Sequence, residues 1–213
     1  MPTVHKRGSV EFSRVLAFSD GLFAIAMTLL VVGIDVPDFA DKDSVRELAD
    51  ALNDRSASLI SFFISFAVIG RYWIAHHAFF ALLGGVDRTL LWTNLVYLAF
   101  IAFLPFPTAL LGNFFENPLS VAIYATSVAV VSGLEVVQFR VAYRHGLLER
   151  EMPPDVYRWG VAASLSPVIF FMISVPVAFL STTVAVACWF AVIPLQGVSS
   201  RWKPKRADEF MLG

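Results

Sequence analysis

The chain has 213 residues, of which 57% are hydrophobic, and its mean hydropathy is +0.69. This apolar fraction exceeds that of an ordinary soluble domain and predicts an integral membrane protein. The formal net charge of -1, with no basic run longer than 201–206, argues against nucleic acid as a partner, and the single cysteine excludes a disulfide within the chain.

Six long apolar segments follow one another along the chain, separated by polar residues. A bilayer core about 30 Å thick needs a helix of about 20 apolar residues, and the segments are close to that length. We therefore expect an all-α membrane protein with six transmembrane helices in a single domain over residues 1–213, ending in a short cytoplasmic tail over 201–213. The predicted helices cover residues 12–34, 57–83, 90–111, 119–141, 161–180 and 182–198.

The first predicted helix contains an acidic residue near its start. Asp20 lies about two turns inside the apolar stretch 14–34, and an ionisable residue inside a membrane is by default a candidate functional residue. At about 100° per residue the helix has an apolar stripe, from which Ser19 and Asp20 point away. The stripe consists of Phe18, Gly21, Ile25, Thr28, Leu29 and Val32.

If copies of this helix gather around a symmetry axis, the stripe forms rings of apolar side chains. With a rise of 1.5 Å per residue, Ile25 lies about 16 Å and Leu29 about 22 Å from Arg14, so the rings fall near the membrane midplane and outward of it. A narrow apolar ring passes an ion only if the ion sheds part of its hydration shell, and potassium holds its water less tightly than sodium. No TVGYG-like filter occurs in the chain. Such a pore is therefore expected to prefer potassium without a carbonyl filter.

The loop after the first helix is acidic. Ser44 suits the start of a short helix over 44–53. The acidic residues are open to two interpretations, a solvated loop or an anionic mouth that raises the local cation concentration.

The second and third predicted helices supply candidate partners for Asp20. A tryptophan and two adjacent histidines lie near the same end of the second helix, and an asparagine lies at a matching depth in the third. The simplest role of such a network is to hold the helices together, and gating or pH sensing through a histidine or direct ion contact are the alternatives. The candidate network consists of Arg14, Ser19, Asp20, Trp73, His76 or His77, and Asn94.

The sequence contains no pattern typical of a metal site or of an enzyme. Adjacent helical residues point about 100° apart, so His76 and His77 lack the spacing with which two histidines grip one metal ion. No GxSxG, HExxH or phosphate-binding glycine loop occurs, and Glu135 is expected to extend towards the membrane surface from the end of its helix. We expect no enzyme activity, no metal site and no cofactor.

Basic residues are distributed unevenly between the two sides of the predicted helices. If the N-terminus is inside, the outer parts hold only Lys42, Arg46 and Arg55, and the remaining loop lysines and arginines are cytoplasmic. This is the asymmetry of the positive-inside rule. Both termini are therefore expected on the cytoplasmic side.

The motif RxxxFSD resembles the signature of the transmembrane protein 175 family of potassium channels. It is formed here by Arg14, Phe18, Ser19 and Asp20 and is followed by AIAMTLL. The family occurs in endosomes and lysosomes and, as shorter single-repeat relatives, in bacteria. WxxHHxxF, beginning at Trp73, and Trp92, Asn94 and PFPTALLG over 105–112 are similar to its second and third helices. The last three helices match only in number and hydropathy.

The resemblance implies roles for residues of the first helix. Ile25, Leu29 and Val32 would form the pore constriction and Thr28 a polar layer beside it, while the motif residues would hold the pore helix in place. Because the chain has one copy of the motif, four subunits would rebuild the pore as a symmetric homotetramer. The expected setting is the lipid of a bacterial inner membrane, with potassium and other monovalent cations as permeant ions.

The leading prediction is a potassium-preferring cation channel with a constriction of hydrophobic side chains. One alternative is a proton-coupled secondary transporter that uses Asp20 and His76 or His77 as a relay. Paired broken helices are typical of such transporters, and only the third segment carries a PxP sequence. A membrane scaffold without transport activity is the third possibility.

Overall fold

The computed structural model of the protein describes residues 4–38, 41–191 and 202–210. Two short strands, β1 and β2, pair antiparallel, and a 3-10 turn, Lys205–Glu209, lies near the C-terminus. The elements are β1 His5–Lys6, α1 Val10–Val32, α2 Val45–Asp54, α3 Ser56–Ala81, β2 Gly85–Val86, α4 Arg88–Phe103, α5 Pro105–Asn113, α6 Pro118–Arg144, α7 Pro154–Ala178 and α8 Thr182–Phe190.

Five stretches of the described chain are long and apolar enough to cross a membrane. They are α1, α3, the α4–α5 pair, α6 and α7. The sixth predicted segment, 182–198, begins with the short helix α8, and residues 192–198 lie outside the described residues. A sixth span therefore stays a prediction.

Capping residues and prolines set the helix boundaries. The side chains of Ser9, Ser44 and Asp87 each accept a backbone N–H in the first turn of the following helix. The third predicted helix is divided at Leu104, because Pro105 lacks the N–H that would continue the hydrogen-bond ladder of α4. α7 starts at Pro154, well before the predicted residue 161, since proline suits a first turn.

α6 is the central helix of the bundle. In its most apolar part 56% of the residues are buried, against 22% in each of α1, α3 and α7. Hydroxyl groups tie it to its neighbours. Ser65 of α3 donates to Tyr124 of α6 at 3.0 Å and accepts from Thr108 of α5 at 2.8 Å. These bonds join α3, α5 and α6 within the core.

One end of the bundle, called here the strand end, is closed by β1, β2 and the α6–α7 loop. β1 pairs with β2 in the α3–α4 loop, Leu83 bridges to Leu148, and Arg7 forms an ion pair with Glu149. α1 and α4 begin at this end and α3 finishes there. Polar residues near those three helix ends are consequently brought together.

Candidate functional site

The predicted pore stripe lies on the surface of the subunit. α1 packs on α3, α4 and α5 through the face that holds Ser19, Phe23 and Leu30, all of them buried. The stripe is on the opposite side of the helix and is available to a pore axis or to lipid. The exposed fractions are 54% for Phe18, 60% for Ile25, 45% for Leu29 and 73% for Val32, and Gly21 and Thr28 are also exposed.

The hydroxyl group of Thr28 is held in a fixed direction. Its Oγ1 donates a hydrogen bond to the carbonyl oxygen of Ile25 at 2.8 Å. Because the hydrogen is used within the helix, the lone pairs of the oxygen are left for another partner. Thr28 thus presents an acceptor on the same surface as Ile25 and Leu29.

Three polar residues from three helices form a buried chain of hydrogen bonds. The Asn94 Nδ2 of α4 donates to the Ser19 Oγ of α1 at 3.2 Å, and Ser19 donates to the Val15 carbonyl at 2.9 Å. The Asn94 Oδ1 lies 2.9 Å from the His76 Nε2 of α3. Since this oxygen can only accept, His76 is the donor. The chain connects the helix that carries the stripe to its two neighbours.

Aromatic rings enclose the histidine of this chain. The His76 ring stacks on Phe80 with centroids 4.3 Å apart and lies parallel to Tyr97 at 5.7 Å. Phe23 of α1 contacts it at 5.5 Å. The imidazole is thereby fixed in one orientation.

Asp20 belongs to a separate, more exposed contact. Its Oδ1 accepts a hydrogen bond from the Trp73 indole at 2.9 Å, and the Trp73 ring lies 6.0 Å from that of His77. Arg14 is exposed and has no hydrogen-bond or ion-pair partner within the described ranges. Five of the six candidate positions thus divide into the buried Ser19–Asn94–His76 chain and the Asp20–Trp73 pair, and Arg14 belongs to neither. Neither histidine forms a hydrogen bond with Asp20.

Two polar contacts were not foreseen from the sequence. Glu135 does not extend freely towards the membrane surface as expected, since its carboxylate accepts a hydrogen bond from the Tyr97 hydroxyl at 3.4 Å. Asp87 accepts from the Leu90 N–H at 2.8 Å and contacts the His145 Nδ1 at 2.6 Å. Burial opposes ionisation of Asp87, but the Leu90 and Thr89 N–H groups and the hydrogen bond and charge interaction with His145 together outweigh it and lower the pKa of its carboxyl group. The sequence shows only an aspartate before a helix.

The charged and sulfur-containing side chains do not form a metal site in the described part of the chain. No group of three or more histidine, cysteine, aspartate or glutamate side chains comes together there. The candidate site therefore consists of the exposed stripe of α1 and the hydrogen bonds that hold α1 against its neighbouring helices.

Known proteins are similar to this chain in both sequence and fold. The family of the endosomal/lysosomal potassium channel TMEM175 matches residues 14–105. A potassium channel of Streptomyces collinus is 36% identical over 135 residues, which are 63% of this chain and 64% of that protein. A potassium channel of Chamaesiphon minutus is 30% identical over 186 residues, which are 85% of this chain and 91% of that protein.

Animal proteins match over a smaller share of their length. The endosomal/lysosomal proton channel TMEM175 of Gallus gallus is 31% identical over 153 residues, which are 69% of this chain and 30% of that protein. Among solved structures, the lysosomal potassium-selective channel TMEM175 homologue from Chamaesiphon minutus has a TM-score of 0.71 at 29% identity, covering 90% of this chain and 99% of that chain.

The family expected from RxxxFSD is confirmed by these matches. The potassium channel of Chamaesiphon minutus is matched over 91% of its length, and the solved homologue from that organism shares the fold of the bundle described above. The protein is thus an integral membrane protein, and the chain belongs to the TMEM175 family.

Proposed function

We propose that the protein is a potassium-preferring cation channel whose constriction is built from the side chains of α1. The observation that carries the proposal is the apolar stripe, which α1 leaves exposed while its opposite face is buried. The potassium channels named among its relatives support the choice of ion.

The mechanism follows from the size and polarity of the stripe. Rings of Ile25, Leu29 and Val32 would exclude a fully hydrated ion, so permeation requires partial loss of its water. Potassium gives up water more readily than sodium and would therefore pass at lower cost. The Thr28 oxygen beside the rings replaces part of the lost hydration. The permeant potassium ion is the only bound species that the mechanism needs.

The pore requires several copies of the chain. One subunit offers a single copy of the stripe, and closed symmetry around an axis gives a homotetramer as the proposed assembly. We place it in a bacterial inner membrane with both termini in the cytoplasm, so that the strand end faces inward. The arginines and lysines near that end agree with this orientation.

Reconstitution into liposomes tests the proposal. Vesicles loaded with potassium and diluted into sodium are expected to develop a potassium diffusion potential that a voltage-sensitive dye reports. An equal response to a sodium gradient would contradict the potassium preference, and no response to either gradient would contradict channel function.

The same vesicles distinguish the proton-coupled transporter. Strict coupling of potassium movement to proton movement, measured with an internal pH dye, would support the transporter over the channel. The geometry favours the channel, because Asp20 bonds to Trp73 and His76 to Asn94. Within the described residues neither His76 nor His77 forms a hydrogen-bonded relay with Asp20.

A further inference from the structure

A cavity lies inside the subunit between α3, α4, α6 and α7. Its volume is about 330 Å³, which is at the lower end of the range for small-molecule sites. Its walls are mostly apolar and include the rings of Phe79, Phe139 and Trp159. Ala207 and Phe210 of the C-terminal segment also line it. The cavity is separate from the stripe on α1.

Two buried polar atoms in the residues that line this cavity have no hydrogen-bond partner in the described part of the chain. They are the Gln138 Nε2, a donor, and the His76 Nδ1. The two side chains are only 2% and 3% exposed. Because His76 donates through Nε2 to Asn94, its neutral ring offers Nδ1 as an acceptor. Unpaired buried polar atoms are rare in folded proteins and call for an explanation.

Charged residues line the same cavity. Glu135 and Gln138 are three residues apart on α6 and therefore share one face of the helix, which places an acceptor beside a donor. Arg71 also lines the cavity and is exposed, so the cavity reaches the subunit surface beside it. Since one basic and one acidic side chain line the cavity, it favours neither an anionic nor a cationic ligand. A ligand group with both an N–H donor and a C=O acceptor complements Glu135 and Gln138, because Glu135 can accept from the N–H and Gln138 can donate to the C=O.

We propose that this cavity binds a small uncharged aromatic amide or urea. The ring lies between the aromatic walls, the N–H groups donate to Glu135, and the carbonyl oxygen accepts from Gln138. The bound molecule also meets His76, which is connected through Asn94 to Ser19 of α1. Occupancy therefore changes ion flow along α1, and this part of the proposal rests on the channel function proposed above.

Binding is tested on the purified full chain in detergent with benzamide and phenylurea, and toluene is the apolar control. Ligand-observed NMR and calorimetry are expected to show binding of both probes.

Ala163→Leu places a larger side chain in the cavity and abolishes binding, whereas Ala162→Leu, on the exposed side of the same helix, leaves binding unchanged. Gln138→Leu keeps the volume but removes the donor. It weakens binding about tenfold, which corresponds to the loss of one good hydrogen bond, and it folds at least as well as the parent.

Several outcomes overturn the proposal. No probe binding up to about 1 mM, or equal binding to the parent, Ala163→Leu and Gln138→Leu, would exclude the site. In liposomes the probes are expected to change potassium flux through the parent and Ala162→Leu and not through Ala163→Leu. Binding without any change of flux would overturn the coupling to α1 and leave the channel function standing. If the parent protein carries no potassium flux, the channel proposal fails. The binding data alone then test whether the cavity is a ligand site.

Discussion

Asn94 occupies the central position between three helices. Its amide nitrogen donates to Ser19 of α1 and its oxygen accepts from His76 of α3, so both polar ends of one short side chain are used. All three residues are buried, and none is on the stripe. The position of α1 depends on this side chain, whereas the exposed stripe of α1 does not include it.

The first prediction concerns stability at this residue. Asn94→Leu keeps the volume but leaves the His76 N–H and the Ser19 oxygen without their partner, and a buried unpaired group costs about 1–3 kcal/mol. We expect a lower midpoint in thermal unfolding in detergent, with an unchanged ratio of potassium to sodium flux in the channels that remain folded.

Trp73→Phe is the control for this substitution. It removes the more exposed hydrogen bond to Asp20, and polar contacts of this kind in membrane proteins contribute about 1 kcal/mol or less. A midpoint that falls as much for Trp73→Phe as for Asn94→Leu would contradict the special role of the buried chain.

The second prediction concerns the stripe itself. Leu29→Asn replaces an apolar ring by amide groups that can substitute for water around an ion, so conductance should rise and sodium should be admitted. Single-channel recording in bilayers gives both quantities. Val31→Asn is the matched control, because Val31 is 54% exposed on α1 but lies off the stripe. Similar changes in both variants, or none in Leu29→Asn, would place the constriction elsewhere.

At the scale of elements, a hydrogen bond in the loops of the strand end joins α4 to α6. Asp87 caps the start of α4 and contacts His145, which follows the last residue of α6. The pKa of Asp87 is lowered in the folded state, so its ionisation stabilises the fold. That contribution is present above the unfolded-state pKa of about 3.9 and is lost as the pH falls through the lower folded-state value.

The third prediction follows from the lowered pKa of Asp87. At neutral pH Asp87→Asn keeps an acceptor for the Leu90 N–H but removes the carboxylate charge. It is expected to lower the free energy of unfolding by about 1 kcal/mol, which is the difference between a charged and a neutral hydrogen bond. The difference from the parent should shrink as the pH falls below about 4. The difference between the thermal midpoints of the parent and the variant, measured from pH 3 to pH 7, tests this expectation. Asp155→Asn, in the first turn of α7, is the control. A difference that stays constant over the whole range would exclude the linkage.

The elements differ in how far the sequence could predict them. Periodicity predicted the separate faces of α1, and Ser44 predicted the start of α2, because each signal is local. The apolar run 90–111 predicts one continuous helix, whereas Pro105 begins a second helix, α5. The Asp87–His145 contact and the cavity beside Glu135 depend on residues far apart in the chain. No local pattern specifies which of several polar residues at the same depth in the membrane will contact one another. The sequence therefore predicts one network, whereas the structure contains a buried chain of hydrogen bonds and a separate, more exposed pair.

At the scale of the whole molecule, the subunit leaves three helices largely unburied. α1, α3 and α7 each have 22% of their most apolar part buried, and lipid can cover all of them. α1 differs in that its exposed stripe also includes the hydroxyl of Thr28 and begins beside the motif residues. A central position in the assembly would give that surface a role that a lipid-facing position does not.

The fourth prediction tests this position by cross-linking. In a chain whose single cysteine is removed by Cys188→Ser, Leu29→Cys places one thiol per subunit on the stripe. Neighbouring thiols around a narrow axis can approach within the Cβ–Cβ distance of about 4 Å that a disulfide needs. Mild oxidation in membranes should therefore give covalent dimers, since each thiol pairs only once, while native mass spectrometry of the unoxidised protein should count four subunits. Ile173→Cys, 55% exposed on α7, is the control. Equal dimer yields from the two variants would show that α1 does not surround the axis.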